Sequence, residues 1–192
     1  MNKLLATDII KFAERNFESP GQHHAEIIPL IEWLLNKEIK NIFELGCYLR
    51  CNSSVLASVA IGKKIFLDNT NAPQADQKLK AMFPDVQIHV ADSHLQTSAQ
   101  WVRDSLNGEL FDFMFIDGDH SYEGVKQDYE MYWEFLKPGC WMAFHDINDS
   151  PTHHQMGCFV DEFWREISSQ YEHMEFNAHE DWAGIGLIRK PL

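Results

Sequence analysis

The densest group of chemically reactive side chains is the run Asp-Gly-Asp-His-Ser-Tyr, which begins at Asp117. A second run, His-Asp-Ile-Asn-Asp, begins at His145 and follows the first by the length of one helical crossover. Carboxylates such as Asp117 and Asp146 are ligands that hard divalent cations prefer, whereas imidazoles titrate near neutral pH and accept protons. The two runs therefore predict metal-assisted chemistry, proton transfer by His120 or His145, or both.

An acidic residue lies at the end of each of five apolar runs in the chain. These residues are Glu44, Asp68, Asp92, Asp117 and Asp146. A cleft that collects so many carboxylates has excess negative charge. A cation, or a ligand rich in hydroxyls, amines or positive charge, would offset that charge. The pattern therefore predicts a binding cleft.

The apolar runs predict β-strands that alternate with amphipathic helices. The predicted strands cover residues 41–45, 64–68, 86–90, 111–116, 140–145, 172–176 and 184–189. The fourth and fifth runs are almost entirely apolar, as strands buried on both faces are. This alternation predicts an α/β fold with right-handed crossovers, a parallel sheet and helices on both faces. Ligands of such sheets bind beyond the carboxyl ends of the strands, which is where the acidic residues lie.

The loop after the first predicted strand has the layout of a nucleotide-binding turn. Gly46 allows a sharp turn and a close approach of a ligand, and Asn52 or Ser53 can cap the next helix. Asp68 follows Gly46 by about 20 residues, the spacing of a carboxylate that accepts hydrogen bonds from ribose hydroxyls. The pair Asp92–Ser93 after the third strand is a candidate for contact with an adenine edge.

Some of the same side chains have a purely structural interpretation. Asp119 can cap the helix that begins near Ser121, and His145 can be a buried core imidazole. Pro138–Gly139 is predicted to turn the chain into the fifth strand. The adjacent histidine pairs, His23–His24 and His153–His154, are expected to be solvated loop residues.

Composition argues against several classes of function. The chain has 192 residues, 45% of them hydrophobic and 12% aromatic, which excludes disorder and predicts one domain, residues 1–192. A net charge of −13 repels phosphate backbones and anionic lipid, so no nucleic-acid or membrane partner is expected. No apolar run approaches the length of a membrane span, and the N-terminal residues are expected to form an ordinary amphipathic helix and not a secretory signal. The four cysteines lack metal-binding spacing and predict free thiols in a cytoplasmic protein.

The stretch 116–147, IDGDHSYEGVKQDYEMYWEFLKPGCWMAFHDI, resembles class I S-adenosylmethionine-dependent methyltransferases. Within that class it is similar to the small-molecule "methyltransferase domain 24" group, which includes the cephalosporin hydroxylase-like proteins. The upstream HHAEIIPLIEWLL and FELGCYLRCNSS, and the final GCFVDEFWREI and WAGIGLIRK, extend the resemblance over about residues 22–190. It implies a Rossmann-like, doubly wound sheet of seven strands, order 3-2-1-4-5-7-6, with strand 7 antiparallel. The N-terminal helices, residues 1–36, are then expected to cover the cleft.

The resemblance also implies roles for individual residues, with S-adenosylmethionine as the cofactor. The cofactor-binding residues it implies are Glu44, Gly46, Cys47, Tyr48, Ser53, Asp68, Asp92, Ser93 and Asp117. A Mg²⁺-type ion is expected on Asp117 and Asp146, with a third ligand from Asn148, Asp119 or water. The candidate catalytic residues are His120 and His145, as bases available near neutral pH, together with Asp117. The methyl acceptor would be a hydroxyl, or an amine, of a small molecule.

The sequence departs from the resembling pattern at Arg50 and Cys51, because relatives carry a pair of small residues there, often Gly-Gly, and Arg50 has the longer side chain. Its side chain could turn to solvent, cover the cofactor carboxylate or fill the pocket. The last option favours an alternative function, a catalytically inactive methyltransferase-like binding protein. A dinucleotide-dependent oxidoreductase also fits the alternation, but the first turn lacks the GxGxxG pattern. The sequence leaves open the identity of the acceptor and whether the chain forms a homo-oligomer.

Overall fold

Seven strands form one sheet in the computed structural model, which describes residues 5–17, 22–179 and 181–192. The strands are β1 (Ile42–Leu45), β2 (Lys64–Asp68), β3 (Val86–Val90), β4 (Phe111–Ile116), β5 (Leu136–His145), β6 (His173–Phe176) and β7 (Ile185–Arg189). Their order is β3-β2-β1-β4-β5-β7-β6, and β7 runs antiparallel to both β5 and β6. The predicted Rossmann-like order and the antiparallel last strand are confirmed.

The described helices cover both faces of this sheet. They are α1 (Ala6–Asn16), α2 (His24–Leu35), α3 (Cys51–Val59), α4 (Pro73–Met82), α5 (Gln96–Leu106), α6 (Tyr122–Tyr132), α7 (Pro151–Gln155) and α8 (Val160–Ser168). One apolar core contains α1, α2 and α3, and the other contains α5, α6 and α8. Phe113 and Phe115 enter the first core while Met114 and Ile116 enter the second, because successive side chains of a strand point to opposite faces. The continuous apolar run of β4 is therefore explained by burial on both faces.

The fifth strand is longer than the sequence predicts. β5 begins at Leu136, and its pairing with β4 shifts register between Phe111 and Phe113. Pro138–Gly139 lies at this irregularity inside the strand, so the predicted turn into the strand is wrong. The irregular pairing accommodates the proline, which lacks the N–H that a regular ladder needs.

The helix start after β4 follows the predicted local chemistry. The Ser121 side chain accepts a hydrogen bond from the backbone N–H of Gly124, which caps α6. The Asp119 carboxylate accepts the backbone N–H of Ser121 at 2.9 Å, so it also stabilises this turn. Asp119 is therefore not the cap of α6 that its structural interpretation predicted, because Ser121 takes that position.

None of the helices that the structure describes combines the length and the apolarity needed to cross a membrane.

Gly46 allows the ends of β1 and β4 to meet. Its φ is +82°, and an added Cβ would lie 1.8 Å from the carbonyl oxygen of Asp117. We expect Gly46→Ala to lower the free energy of unfolding by at least about 2 kcal/mol, since backbone strain and overlap add. Urea unfolding measures this loss.

Gly108→Ala is the matched control for that substitution. Gly108 has a similar φ of +79°, but an added Cβ there meets nothing within 4 Å. The control therefore isolates the cost of the backbone conformation, about 1–2 kcal/mol. Equal losses in the two variants would contradict a steric role for Gly46.

Candidate active site

The carboxyl ends of β1 to β5 open into a cavity of about 720 Å³. That volume is in the range of small-molecule and cofactor sites. The predicted cofactor-binding residues that line it are Gly46, Tyr48, Asp68, Asp92, Ser93 and Asp117. The structure thus brings these side chains together around one space, as expected for acidic residues at the ends of parallel strands.

Asp68, at the end of β2, organises the loop that follows β1. Its Oδ2 accepts the backbone N–H groups of Cys47, at 2.5 Å, and Tyr48. Its Oδ1 accepts the backbone N–H of Thr70. Since Asp68 also lines the cavity, one carboxylate both shapes the loop and faces the cavity.

Arg50 turns inward behind Asp68 and is fully buried. Its Nη1 lies 3.2 Å from Asp68 Oδ2 and its Nε lies 2.7 Å from Asp76 Oδ1. Its backbone has a φ of +68°, a conformation that suits glycine, which explains why a small residue fits this position in the resembling pattern. The prediction that Arg50 reaches solvent is wrong, because two carboxylates hold it beneath the loop, and Arg50 does not line the cavity.

Glu44, Cys47 and Ser53 do not line the cavity, in contrast to the roles that the resemblance implies. All three are buried, and the Glu44 carboxylate accepts hydrogen bonds from Asn52 Nδ2, at 2.8 Å, and from Ser53 Oγ. Asn52 and Ser53 belong to the first turn of α3, whose N-cap is Arg50, so neither is the predicted cap. Glu44 therefore fixes the start of α3 from below.

Burial raises the pKa of Glu44 to about 7, although the hydrogen bonds from Ser53 and Asn52 oppose the rise. Desolvation destabilises the charged carboxylate more than these donors stabilise it. Glu44 therefore carries a proton in the folded protein at pH values where an exposed glutamate is ionised.

Asp117, which directly follows β4, accepts hydrogen bonds from three side chains. His120 Nε2 lies 3.1 Å and His145 Nδ1 lies 3.2 Å from Asp117 Oδ1. On the other side, Gln22 Nε2 donates to Asp117 Oδ2 at 2.9 Å. The predicted catalytic residues His120, His145 and Asp117 are thus in direct contact.

Asp146, which directly follows β5, faces the same imidazoles. Its Oδ1 lies 3.4 Å from His145 Nδ1, and its Oδ2 lies 3.8 Å from His120 Nε2. Its φ of +62° is uncommon for a residue other than glycine and is typical of constrained functional sites. The two predicted metal carboxylates and His145 each place one ligand atom within 4.8 Å of the others.

The charges in this cluster shift the protonation of its members. Burial alone would raise the pKa of Asp117, but the imidazoles of His145 and His120 outweigh it and hold that pKa well below its usual range. Burial alone would lower the pKa of His145, but Asp117 and Asp146 raise it well above its ordinary value. Without a cation, a protonated imidazole would therefore offset the charge of only one of the two carboxylates.

Asn148 does not line the cavity, although it was a candidate metal ligand. Its side-chain Nδ2 donates to the backbone carbonyls of His179, at 2.6 Å, and Trp182, at 3.0 Å. It therefore ties the loop after β5 to the loop before β7. The structure does not bring it together with Asp117 and Asp146.

Sequence reasoning missed His153, which was expected to be a solvated loop residue. It is only 7% exposed, lines the cavity, and places Nε2 3.9 Å from Asp146 Oδ1. Trp182 packs on it with ring centroids 4.1 Å apart. The sequence signal that could have found it is its position shortly after His145 and Asp146, in the segment that follows the end of β5.

The helices of segment 1–36 were expected to cover the cleft, but of the described residues in that segment only Gln22, which precedes α2, lines the cavity. Helix α1 instead packs beside α2 and α3. Residues 1–4 and 18–21 of the segment lie outside the described residues. Met156 and Trp182 complete the rim from the other side, and both are exposed hydrophobic residues.

A sheet in this order, with a cavity beyond the carboxyl ends of β1 to β5, defines the class I methyltransferase fold. The sequence profile of a family described as a methyltransferase domain matches residues 44–147, more than half of the chain. The chain therefore belongs to this methyltransferase domain family. The resemblance inferred from the stretch 116–147 is confirmed.

Solved structures share the fold at low sequence identity. The O-methyltransferase from Bacillus cereus in complex with SAH has a TM-score of 0.65 at 15% identity, covering 96% of this chain and 90% of that one. The N-methyltransferase NodS from Bradyrhizobium japonicum WM9 in complex with S-adenosyl-l-homocysteine (SAH) has a TM-score of 0.61 at 13% identity, covering 96% of this chain and 99% of that one. Because the two enzymes methylate different kinds of atom, the fold alone does not identify the acceptor.

A curated relative matches only a short stretch. The "Uncharacterized protein R132" of Acanthamoeba polyphaga mimivirus is 40% identical over 38 residues, which is 20% of this chain and 17% of that protein. This chain therefore matches less than a fifth of the relative's length, and the match carries no statement about function.

Proposed function

We propose that this protein transfers a methyl group from S-adenosylmethionine to a hydroxyl, or an amine, of a small molecule in the cytoplasm, with help from a divalent cation. The observation that carries the proposal is the meeting of Asp68, Asp92 and Asp117 around one cavity in a chain of the methyltransferase domain family. The SAH complexes of two proteins with the same fold support the choice of cofactor.

Asp68 and the pair Asp92–Ser93 form the end of the cavity proposed for the nucleoside. Asp68 Oδ1 has one backbone donor, from Thr70, so it retains capacity to accept a ribose hydroxyl. Ser93 and His94 line the cavity further along this edge of the sheet and are available to an adenine ring. The methionine portion would then extend past Gly46 toward Asp117.

His120 and Asp117 form the part of the site proposed to handle the acceptor proton. The His120 side chain is 43% exposed and lines the cavity, so an acceptor can reach it. If His120 Nε2–H donates to Asp117, its Nδ1 keeps a free lone pair and can take a proton as a general base. Asp117 therefore orients the ring and fixes its tautomer.

Asp117, Asp146 and the adjacent imidazoles fit a divalent cation, since carboxylate and imidazole atoms converge there. Bound cofactor would supply an electrophilic methyl group, and a bound cation would lower the pKa of an acceptor hydroxyl. Gln22 would hold the second oxygen of Asp117 in place. These residues would align the acceptor with the methyl group, the main requirement of a displacement reaction.

The alternative, an inactive binding protein, rested on Arg50 filling the pocket. Arg50 is buried behind Asp68 and does not line the cavity, so this support is lost. The oxidoreductase alternative rested on the alternation of strands and helices alone. Titration with NAD tests it beside the main proposal.

Calorimetric titration with S-adenosylmethionine, SAH and NAD tests the cofactor. We expect both sulfur-containing ligands to bind and NAD not to bind. Incubation of S-adenosylmethionine with a mixture of small phenols and amines should then release SAH, with less release after treatment with EDTA. Failure of both sulfur-containing ligands to bind at millimolar concentration would overturn the proposal. Binding without SAH release would favour the inactive alternative.

Asp68→Asn is expected to weaken S-adenosylmethionine binding by about 1.5–3 kcal/mol, because a charge-assisted hydrogen bond to the ribose is lost. Asp76→Asn is the matched control, since Asp76 also pairs with Arg50 but does not line the cavity. The same calorimetric titration measures both variants. An equal loss of affinity in the two would assign the effect of Asp68 to the loop and not to the ribose.

A further inference from the structure

His94, which follows β3, has one ring nitrogen committed to α6. Its Nε2 lies 3.2 Å from the backbone carbonyl oxygen of Gly124 and 3.2 Å from Asp128 Oδ1. The hydrogen bond of this side chain within the described part of the protein involves Nε2 and not Nδ1. Since the side chain is 23% exposed and lines the cavity, Nδ1 is the nitrogen left for a ligand.

The partners of His94 Nε2 determine where the ring carries its hydrogen. A carbonyl oxygen only accepts hydrogen bonds, and an ionised carboxylate does the same. Nε2 therefore carries the hydrogen of the neutral ring, and Nδ1 keeps a lone pair. That lone pair is satisfied by a ligand group that donates a hydrogen bond, and not by a group that accepts one.

Asp128 supplies independent support, because its carboxylate is buried beside His94. The residue is fully buried, and neither of its side-chain oxygens accepts a hydrogen bond of good geometry from the described residues. An added Cβ on Gly118, which lines the cavity, would lie 3.0 Å from Asp128 Oδ2. The carboxylate thus lies directly behind the cavity wall. Its burial costs free energy, which the nearby Nε2–H of His94 offsets.

The backbone that carries His94 is held from two directions. Its N–H donates to Asp92 Oδ1 at 2.9 Å, and the preceding carbonyl, that of Ser93, accepts the hydroxyl of buried Tyr132 at 2.7 Å. Tyr132 and Asp128 both belong to α6, about one turn apart. One helix therefore holds the backbone and the ring of His94, and the imidazole is oriented before a ligand binds.

His94 also lies on the side of the cavity that suits the base of a nucleoside. β3 pairs with β2, and Val90 is the register partner of Asp68. The segment after Val90 therefore begins beside Asp68, about 4.8 Å away across the sheet. Because a purine is bonded directly to its ribose, a nucleoside whose ribose lies at Asp68 brings its base to the segment that carries His94.

We propose that His94 Nδ1 recognises the exocyclic amino group of adenine, and that Asp128 is a positioning residue that holds the imidazole. This inference rests on the proposed function, since it explains how the same site selects the base of its cofactor. The amino group is a donor, whereas the free ring nitrogens of adenine only accept hydrogen bonds. An oxo group in its place would set two lone pairs against each other, so the site should reject hypoxanthine.

Calorimetric titration with SAH and with S-inosylhomocysteine, in which oxygen replaces the amino group, tests this selection. At about pH 8 an ordinary carboxyl and an ordinary imidazole are both deprotonated. We expect S-inosylhomocysteine to bind at least about 10-fold more weakly than SAH, because it leaves His94 Nδ1 unpaired. Equal affinities would overturn the inference and leave the proposed cofactor in place. Failure of both ligands to bind would overturn the proposed function and the inference with it.

His94→Phe keeps a flat ring and removes both nitrogens. The ratio of the two affinities should fall to within about 3-fold, because neither ligand then finds a partner at this position. His89→Phe on β3 is the matched control, since His89 stacks on Trp101 and does not line the cavity. The control should keep the ratio of the natural chain. A ratio unchanged in His94→Phe would overturn the inference.

Asp128→Ala separates positioning from a general structural role. Loss of the carboxylate frees the ring, so SAH affinity should fall by about 3-fold to 10-fold and S-inosylhomocysteine affinity should change less. Equal loss for both ligands would overturn the positioning role. Nitrogen NMR of the ligand-free natural chain, with the His94 ring assigned from its backbone, keeps the test valid if a variant fails to fold. We expect the hydrogen on Nε2, and a neutral ring with its hydrogen on Nδ1 would overturn the inference.

Discussion

Replacing Arg50 by methionine is expected to lower the free energy of unfolding by about 3–5 kcal/mol. The side chain is fully buried and donates to four groups, Asp68, Asp76 and the carbonyls of Tyr48 and Thr70. Its removal leaves Asp68, which is 4% exposed, with an uncompensated buried charge. Removing one partner of a buried ion pair is costly because the other remains desolvated.

Urea unfolding and thermal melting measure the Arg50→Met effect, which should lower Tm by roughly 10 °C in a domain of this size. Arg103→Met is the matched control, because the Arg103–Glu134 pair is about half exposed on both sides. An exposed ion pair contributes at most about 1 kcal/mol to the free energy of unfolding. Similar losses in the two variants would show that the Arg50 network contributes no more than a surface pair.

Arg50→Met also tests whether the ion pair with Asp68 shapes the loop after β1 for cofactor binding. Arg50 holds the Asp68 carboxylate, and Asp68 accepts the N–H groups of Cys47 and Tyr48. Loss of Arg50 should therefore also weaken S-adenosylmethionine binding, although Arg50 itself does not line the cavity. Unchanged affinity in a destabilised variant would show that the loop keeps its shape without the ion pair.

The strands could be predicted because each is marked by a pattern within its own short stretch of sequence. The runs 64–68, 86–90 and 111–116 match β2, β3 and β4 residue for residue, since each apolar segment is bounded by charged or turn residues. Parallel strands bring their carboxyl ends to one edge, so the meeting of Asp68, Asp92 and Asp117 also followed from the alternation of elements. The order of the strands in the sheet, in contrast, was predicted only from the resemblance to class I methyltransferases.

Several side chains were misplaced because their surroundings come from other segments of the chain. Arg50 was expected near solvent or cofactor because nothing next to it shows that Asp76 of α4 will face it. His153 was expected in solvent because burial of its loop depends on the turn at Asp146 and on Trp182. Glu44 was expected at the cofactor because a carboxylate at a strand end does not indicate which face it takes.

The protonation of Glu44 should make the stability of the fold depend on pH. The pKa of Glu44 is about 7 in the folded protein against an ordinary value of 4.5, because burial disfavours the charge. The folded state therefore holds a proton that the unfolded chain has lost. This stabilisation is complete below the ordinary value and is lost as pH rises toward about 7. The contribution of Glu44 to the free energy of unfolding should therefore fall with rising pH.

Glu44→Gln removes this dependence while keeping the shape of the side chain and its contact with Asn52. We expect the free energy of unfolding of Glu44→Gln, measured relative to the natural chain, to rise by about 2–3 kcal/mol between about pH 5 and about pH 8. Urea unfolding at several pH values measures the difference. Glu109→Gln is the control, because its bond with Lys40 lowers the pKa of Glu109 to about 2 and leaves it charged in both states over that interval. If the free energy of unfolding of Glu44→Gln, relative to the natural chain, changes as little with pH as that of the control, Glu44 is ionised in the folded protein. Asn52 and Ser53 would then compensate the burial of its charge.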